Sequence, residues 1–282
     1  MTKVLVPFDF SEQAQNALDL ATNLSNKFDN VVITVLHVIE VPSNSGMGTM
    51  GGEPIAEYEN QIFFIELMNR RKEQFKEMES KYAGKNYALV TKIVLGNAFQ
   101  NISSAILDED PDLVVMGSKG SSGIEEVLVG SNTEKVVRTA HCPVLTVKGQ
   151  TNPESFKKIV FASDFKEDQD ELANRVKTLQ KWFDADLYLV VINTPGSFET
   201  TRESALRIKA FANKYNIEHA IAEIYNSQSE EEGIVEFAED INADLIAMAT
   251  HGRTGLSHFF TGSIAEDVVN HAKRPVWTFK TN

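Results

Sequence analysis

A glycine-rich stretch ending in a serine is the feature of this chain most able to do chemistry. Gly117, Gly120, Gly130 and Ser131 follow the spacing G-x2-G-x9-G-S. Glycine permits positive φ angles and lets a ligand approach the main chain closely. Ser131, with Glu134 three residues later, is predicted to cap a helix whose first amide groups favour an anion. The pattern therefore predicts an anion site built from main-chain N–H groups.

The same pattern occurs a second time. Residues 116–148 align without a gap with residues 248–280, and glycines, a serine, a glutamate and a proline recur at matching positions. The segment KVLVPFDFSE near the start resembles KIVFASDFKE further on, which places Asp9 opposite Asp164. Taken alone, each glycine or capping pair is typical of an ordinary turn. Their combination with an aspartate, present twice, favours a binding site and predicts two copies of one fold.

The length of 282 residues suits two domains of ordinary size. We expect a first domain over residues 1–148, a linker over 149–157 with polar and proline-containing composition, and a second domain over 158–282. The first copy is longer than the second around residues 42–66. Within this segment, the stretch SNSGMGTMGGEP over residues 43–54 is rich in glycine and is predicted to be a loop.

Short apolar runs alternate with helical ones in each copy, which predicts an α/β fold with a parallel sheet and helices on both faces. In the first copy, helices are expected over residues 11–26, 62–82, 99–108 and 131–140. Asp9 closes the first predicted strand and Gly117 follows the fourth. Both should therefore lie at the carboxyl edge of the sheet, where such folds bind ligands.

Composition excludes several classes of function. The net charge of −13 opposes nucleic-acid binding, and no apolar run reaches the roughly 18 residues of a membrane span. The start of the chain lacks the features of a secretory signal, and the single cysteine, Cys142, fits a reducing compartment, so a cytoplasmic location is expected. We find no Ser-His-Asp arrangement, no P-loop and no paired carboxylates. His251, His258 and His271 lack metal-ligand spacing, so neither a catalytic residue nor a metal site is predicted.

At these residues the chain resembles the universal stress protein family in its tandem two-domain form, over nearly its whole length. The resemblance implies an open five-stranded parallel sheet in each copy. For members with this glycine motif it also implies that ATP binds in the crevice, with or without Mg²⁺. Asp9 and the backbone near Val38 would contact the adenine, and the glycine loop and helix start would contact the ribose and phosphates. The site residues implied in the first copy are Pro7, Asp9, Val38, Met116, Gly117, Gly120, Gly130, Ser131 and Asn132.

The second copy departs from this pattern at two places. The matching positions are Ala162, Asp164, Val191, Met248, Ala249, Gly252, Gly262, Ser263 and Ile264. Ala249 replaces the first glycine, and Ala162 stands where the first copy has Pro7. A methyl group costs roughly 1 kcal/mol or more where φ is positive, so the first site is expected to bind more surely. Against this, His251 and Arg253 could offer phosphate a cationic partner and reverse the order.

The main hypothesis is a stress-response sensor or regulator that changes its conformation or partners when ATP binds. One alternative is a slow ATPase, and another is an interaction scaffold with empty crevices. Family members commonly dimerise through the last strand of the sheet. The two copies are therefore expected to pair within the chain as a pseudo-dimer, which could dimerise again.

Overall fold

The computed structural model describes residues 1–28, 30–40, 54–83, 86–118, 129–166, 169–251 and 263–281. Within these ranges, the side chains of residues 54–61, 169, 250, 251, 263 and 281 are not described. The described elements alternate between strand and helix in both halves. None of the described helices combines the length and the hydropathy needed to cross a bilayer.

The first half carries five strands and four helices among its described residues. The strands are β1 Thr2–Pro7, β2 Val31–Ile39, β3 Tyr87–Leu95, β4 Leu113–Gly117 and β5 Val144–Val147. The helices are α1 Glu12–Leu24, α2 Pro54–Tyr82, α3 Ala98–Glu109 and α4 Ser131–Thr139.

The second half repeats this order. Its strands are β6 Lys158–Ala162, β7 Asp186–Asn193, β8 Ala220–Asn226, β9 Leu245–His251 and β10 Val276–Thr281. Its helices are α5 Gln169–Phe183, α6 Thr201–Tyr215, α7 Glu230–Asp240 and α8 Ser263–His271.

All ten strands belong to one sheet, in the order β3-β2-β1-β4-β5-β10-β9-β6-β7-β8. Neighbouring strands pair in parallel within each half, and β5 pairs with β10 in the antiparallel direction. The predicted α/β class with parallel five-stranded sheets is confirmed. The two sheets are joined edge to edge through their last strands, as the expected pseudo-dimer requires.

Two apolar layers cover the sheet, and each extends across both halves. One layer contains the buried faces of α1, α2, α5 and α6, with Phe161 and Trp277 from the sheet. The other contains the buried faces of α3, α4, α7 and α8, with Val114 and Ile246. Strands β1 and β4 are buried on both sides, as expected for the centre of a parallel sheet.

Helix α2 is longer than predicted. It begins at Pro54, the last residue of the stretch that was predicted to be a loop, and continues to Tyr82. Proline at the start of a helix loses no hydrogen bond, because the first amides have no partner within the helix. The glycine-rich stretch before it, over residues 41–53, lies outside the described residues. The helix predicted over residues 62–82 therefore begins eight residues earlier than expected.

Candidate functional site

An open cleft lies in the first half, beyond the carboxyl ends of β1, β2 and β4. Strand order reverses here, since β2 lies on one side of β1 and β4 on the other. The cleft contains about 690 Å³ of space that opens to solvent. It brings together the first-copy site residues that the structure describes: Pro7, Asp9, Val38, Met116, Gly117, Gly130, Ser131 and Asn132. Gly120 lies outside the described residues.

The cleft also has lining residues that sequence reasoning missed. They are Phe8, Ala14, Leu36, Ala98, Ile102 and Thr133. Leu36 lies two residues before Val38 on β2, so the alternation of strand side chains places both on one face and could have identified it. Ala98 and Ile102 lie four residues apart on α3 and so share a helix face. Their apolar side chains gave no separate signal in the sequence.

A tight turn after β1 positions Asp9. Phe10 has a φ of 66°, and the Asp9 carboxylate accepts a hydrogen bond from the Ser11 amide at 3.0 Å. Ser11 then caps α1, since its hydroxyl accepts from the Ala14 amide at 3.1 Å. The aspartate is thereby held between the end of a strand and the start of a helix, at the rim of the cleft.

A buried histidine supports this turn from below. His37 is 5% exposed, and its Nδ1 lies 2.7 Å from the Phe8 carbonyl oxygen, which can only accept a hydrogen bond. Burial lowers the pKa of His37, so the neutral ring donates through Nδ1. The His37 and Phe10 rings pack edge to face, with their centres 4.9 Å apart. The Arg71 guanidinium lies 4.5 Å from the centre of the Phe10 ring. These contacts fix the backbone on both sides of Asp9.

The backbone of Val38 faces the cleft. Along β2, the Leu36 carbonyl accepts from the Phe8 amide at 2.8 Å, while the Ile39 carbonyl accepts from Gly96 on the opposite side. Val38 has the same orientation as Leu36 because successive peptide groups of a strand alternate in direction. Pro7 is the last residue of β1 that pairs with β2, and its partner is Leu36. The N–H and C=O of Val38 therefore point past the end of β1 into the cleft.

The start of α4 differs from the prediction. Gly130, not Ser131, is the N-cap residue, with φ −65° and ψ 139°, and no side chain caps the helix. The Gly130 amide donates to the Ser118 carbonyl at 2.7 Å, and its own carbonyl accepts from the Glu134 amide at 3.1 Å. Ser131 is already in the helix, where its hydroxyl cannot bond to the amide three residues on as an N-cap would. The predicted capping box was therefore wrong.

This arrangement leaves helix amides available in the cleft. The N–H groups of Ser131, Asn132 and Thr133 have no acceptor among the residues that the structure describes. The first amides of a helix carry partial positive charge and favour an anion. The Thr133 hydroxyl donates to the Gly117 carbonyl at 2.9 Å, which ties α4 to the end of β4. The first turn of α4 thus presents the positive end of the helix dipole to the cleft, at a position fixed by this bond.

Gly117 is needed for its lack of a side chain rather than for its backbone angle. Its φ lies outside the positive range. A Cβ at this position would lie 2.8 Å from the carbonyl carbon of Gln13 and 2.9 Å from its oxygen. Helix α1 therefore approaches β4 so closely that only glycine fits.

The second half repeats the turn that follows the first strand. Phe165 has a φ of 55°, and the Asp164 carboxylate accepts from the Lys166 amide at 3.0 Å, as Asp9 does from Ser11. Buried side chains occupy several of the other predicted positions: Ala162, Val191, Met248, Ala249 and Ile264. Gly252, Arg253 and Gly262 lie outside the described residues, and His251 and Ser263 are described by their backbone only.

The register of β7 shifts one of the predicted equivalences. Ser163 donates to the Val190 carbonyl, as Phe8 does to the Leu36 carbonyl, so the counterpart of Val38 is Ile192 rather than Val191. Val191 lies in the apolar layer on the opposite face of the sheet. A shift of one residue along a strand moves a side chain to the opposite face of the sheet. The sequence alignment of the two copies does not reveal this shift, because it contains a gap before β7.

Two side chains of the second half are larger than their counterparts at the first cleft. Ile192 is 9% exposed, and its Cγ2 lies 2.5 Å from where a Cβ on Gly233 would be, so it packs directly on α7. Glu230 begins α7 where Ala98 begins α3, and its carboxylate accepts from the hydroxyls of Thr194 at 3.2 Å and Ser197 at 3.0 Å. An isoleucine and a carboxylate thus replace a valine and an alanine.

A charged cluster lies beside Asp164. Arg207 donates through Nε to the Asp164 carbonyl at 2.7 Å. Glu199 pairs with Arg207 and with Lys166, each at 2.7 Å. Hydrogen bonds from Arg207 and then from Lys166 lower the pKa of Glu199 to about 2. The turn after β6 is therefore stabilised by ion pairs, where the first half uses aromatic packing.

The described residues contain no group of three or more His, Cys, Asp and Glu side chains that could hold a metal ion. Cys142 is buried, and burial raises the pKa of its thiol to about 11. Such a thiol is a poor nucleophile at neutral pH.

The sequence model of the universal stress protein family matches residues 1–148 and 155–280. The chain therefore belongs to the universal stress protein family, with two tandem copies of its domain. A universal stress protein of Methanocaldococcus jannaschii is 30% identical over 147 residues, covering 52% of this chain and 81% of the relative. One from Bacillus subtilis is 31% identical over 153 residues, covering 52% and 98%.

A solved structure has the same fold over almost the whole chain. The universal stress protein from Archaeoglobus fulgidus superposes with a TM-score of 0.73 at 22% sequence identity, and the match covers 99% of this chain and 96% of that one. The similarity extends across both halves and supports the joined ten-stranded arrangement.

Proposed function

We propose that the first cleft binds an adenine nucleotide, ATP with Mg²⁺, and that binding regulates the conformation or partners of this stress-response protein. The observation that carries the proposal is the meeting of three features in one cleft. These are the carboxylate of Asp9, the outward-facing peptide groups of Val38, and the available amides at the start of α4.

Each feature fits a different part of the nucleotide. The edge of adenine carries both hydrogen-bond donors and acceptors, which match the C=O and N–H of Val38 and the carboxylate of Asp9. The apolar side chains of Leu36, Ala98 and Ile102 provide a surface for the flat base. The phosphates would lie at the amides of residues 131–133. Because these amides are neutral, the net charge of −13 does not prevent anion binding.

Magnesium would enter with the nucleotide rather than occupy a protein site of its own. Mg²⁺ retains several waters and is often held by phosphate oxygens with few protein ligands. The absence of a metal-binding cluster among the described residues is compatible with this role.

We propose one nucleotide per chain. In the second half, Ile192 and the Glu230 carboxylate stand in the places of Val38 and Ala98. The larger side chain narrows the space for a base, and the carboxylate disfavours an anionic ligand.

The test is calorimetric titration of the protein with ATP and Mg²⁺, using a control that the repeat itself supplies. Asp9→Ala should weaken ATP binding at least about tenfold, since a hydrogen bond to a charged group contributes about 1.5–3 kcal/mol. Asp164→Ala removes the equivalent turn bond in the second half and should leave the affinity within about twofold of the parent. Undetectable ATP binding by the parent, or equal effects of the two substitutions, would contradict the proposal.

A further inference from the structure

A residue of the second half contacts the phosphate-binding segment of the first. Asn270 lies in α8, is 8% exposed, and accepts a hydrogen bond through Oδ1 from the Val129 amide at 2.9 Å. Val129 is also buried and immediately precedes Gly130, the N-cap of α4. A buried amide without an acceptor is costly, so this bond strongly favours the observed position of the segment.

Asn270 is itself held in place by the first half. Its side-chain Nδ2 donates to the Glu134 carboxylate at 3.4 Å, and its main-chain carbonyl accepts from Lys148 Nζ at 2.6 Å. Glu134 belongs to the first turn of α4. The asparagine therefore bridges the residue before the helix and the end of its first turn.

The bond from Asn270 fixes the entry to α4 together with a bond inside the first half. The Gly130 amide donates to the Ser118 carbonyl at 2.7 Å. Two successive amides are thus anchored, one to Ser118 directly after β4 and the other to α8. These two bonds set the direction in which the amides of residues 131–133 point.

The residue at the equivalent position in the first half cannot make this contact. The position equivalent to Asn270 in the first half is Arg138, which pairs with Glu266 at 3.5 Å across the same helix interface. A guanidinium group has five donors and no acceptor, so it cannot accept a hydrogen bond from a main-chain amide. The second half can therefore stabilise the first cleft in a way that the first half cannot reciprocate.

We propose that Asn270 is a positioning residue for the nucleotide cleft of the first half, so that this cleft reaches full affinity only when the second half is docked against it. The inference rests on the proposed function. It makes the junction between the halves part of the binding site rather than a passive connection.

The first measurement is ATP affinity by calorimetry on the full chain. Asn270→Ala should weaken binding about tenfold, because the Val129 segment loses its anchor. Arg138→Ala removes the pseudo-equivalent contact of the same interface and should change the affinity by less than about twofold. The double variant Glu134→Gln with Asn270→Asp exchanges donor and acceptor across the pair, and should recover affinity to within about threefold of the parent. If Asn270→Ala does not fold, Asn270→Ser replaces it.

The second measurement needs no nucleotide. Hydrogen exchange of the Val129 amide, followed by NMR, should be about tenfold faster in Asn270→Ala and unchanged in Arg138→Ala. If the Val129 amide exchanges faster in Asn270→Ala, as predicted, while the parent does not bind ATP, the proposed function fails and the anchoring of the segment stands. Unchanged affinity in Asn270→Ala, or equal losses in Asn270→Ala and Arg138→Ala, would overturn the inference.

Discussion

Leu145 and Trp277 hold equivalent positions in the two halves and lie opposite each other in the antiparallel pair of β5 and β10. The neighbouring pairs are symmetric about them, so the pseudo-two-fold axis passes between these two residues. On either side, the hydroxyls of Thr146 and Thr278 donate to carbonyls of the opposite strand at 3.2 and 3.4 Å. Each half thereby covers the open edge of the other, as exposed edges favour association with other chains.

Truncation of Trp277 should destabilise both halves. The side chain is 1% exposed and contacts Trp182 and Phe279 at ring distances of 6.5 and 5.1 Å. Trp277→Ala should lower the free energy of unfolding by about 3–5 kcal/mol, measured by urea titration. Trp277→Phe keeps an aromatic ring and removes an indole N–H that has no partner among the described residues, so it should cost less. If both variants lose the same free energy of unfolding, packing of the aromatic ring is not the main source of the stabilisation.

A methyl group at Gly117 should be costly even though its backbone angle is ordinary. The added carbon would lie 2.8 Å from the Gln13 backbone, which cannot rotate away. Gly117→Ala should lower the free energy of unfolding by about 1–3 kcal/mol. Gly149→Ala is the control, because nothing lies within 4 Å of the carbon it adds. Similar urea midpoints for both variants would refute the steric explanation.

The ion pairs of Glu199 should make stability depend on pH in acid. Arg207 and Lys166 lower the pKa of Glu199 from 4.5 to about 2, so the carboxylate is charged in the folded protein where it would be protonated in the unfolded chain. This contribution is present above pH 4.5 and is lost as the pH falls towards 2. Glu199→Gln should therefore reduce stability at neutral pH by about 1 kcal/mol.

The difference between Glu199→Gln and the parent should shrink as the pH is lowered through that range, in urea titrations at a series of pH values. Glu154→Gln is the control, since it removes a Lys27 ion pair whose carboxylate side chain is 66% exposed. A difference that is independent of pH would contradict the assignment.

Cys142 should report on opening of the structure. It is the single cysteine of the chain, it is buried, and burial raises the pKa of its thiol to about 11. Reaction with Ellman's reagent at neutral pH should be at least about 100-fold slower in the folded protein than in urea. Fast labelling of the folded protein would show that this strand end opens readily.

Much of the fold could be predicted because it depends on local pattern. The alternation of apolar runs and helical segments sets the α/β class, and the match of Asp9 with Asp164 predicts that the same turn occurs twice. The predictions that failed depended on distances between elements. From the sequence, Gly117 could serve either a positive φ or a close approach of the main chain to a ligand, but the approach of α1 decides its role. Ser131 was expected to cap α4, but the bond from Gly130 to Ser118 starts the helix one residue earlier.

By itself, the sequence determined that the chain is a duplicated α/β protein with an anion-binding pattern, because residue type and spacing are properties of the chain alone. Only the tertiary structure decided that Ile192 rather than Val191 corresponds to Val38, and that Asn270 supports the loop at Val129. Asn270 and Val129 are 141 positions apart. No local pattern encodes such a contact, because it exists only after both halves have folded and packed together.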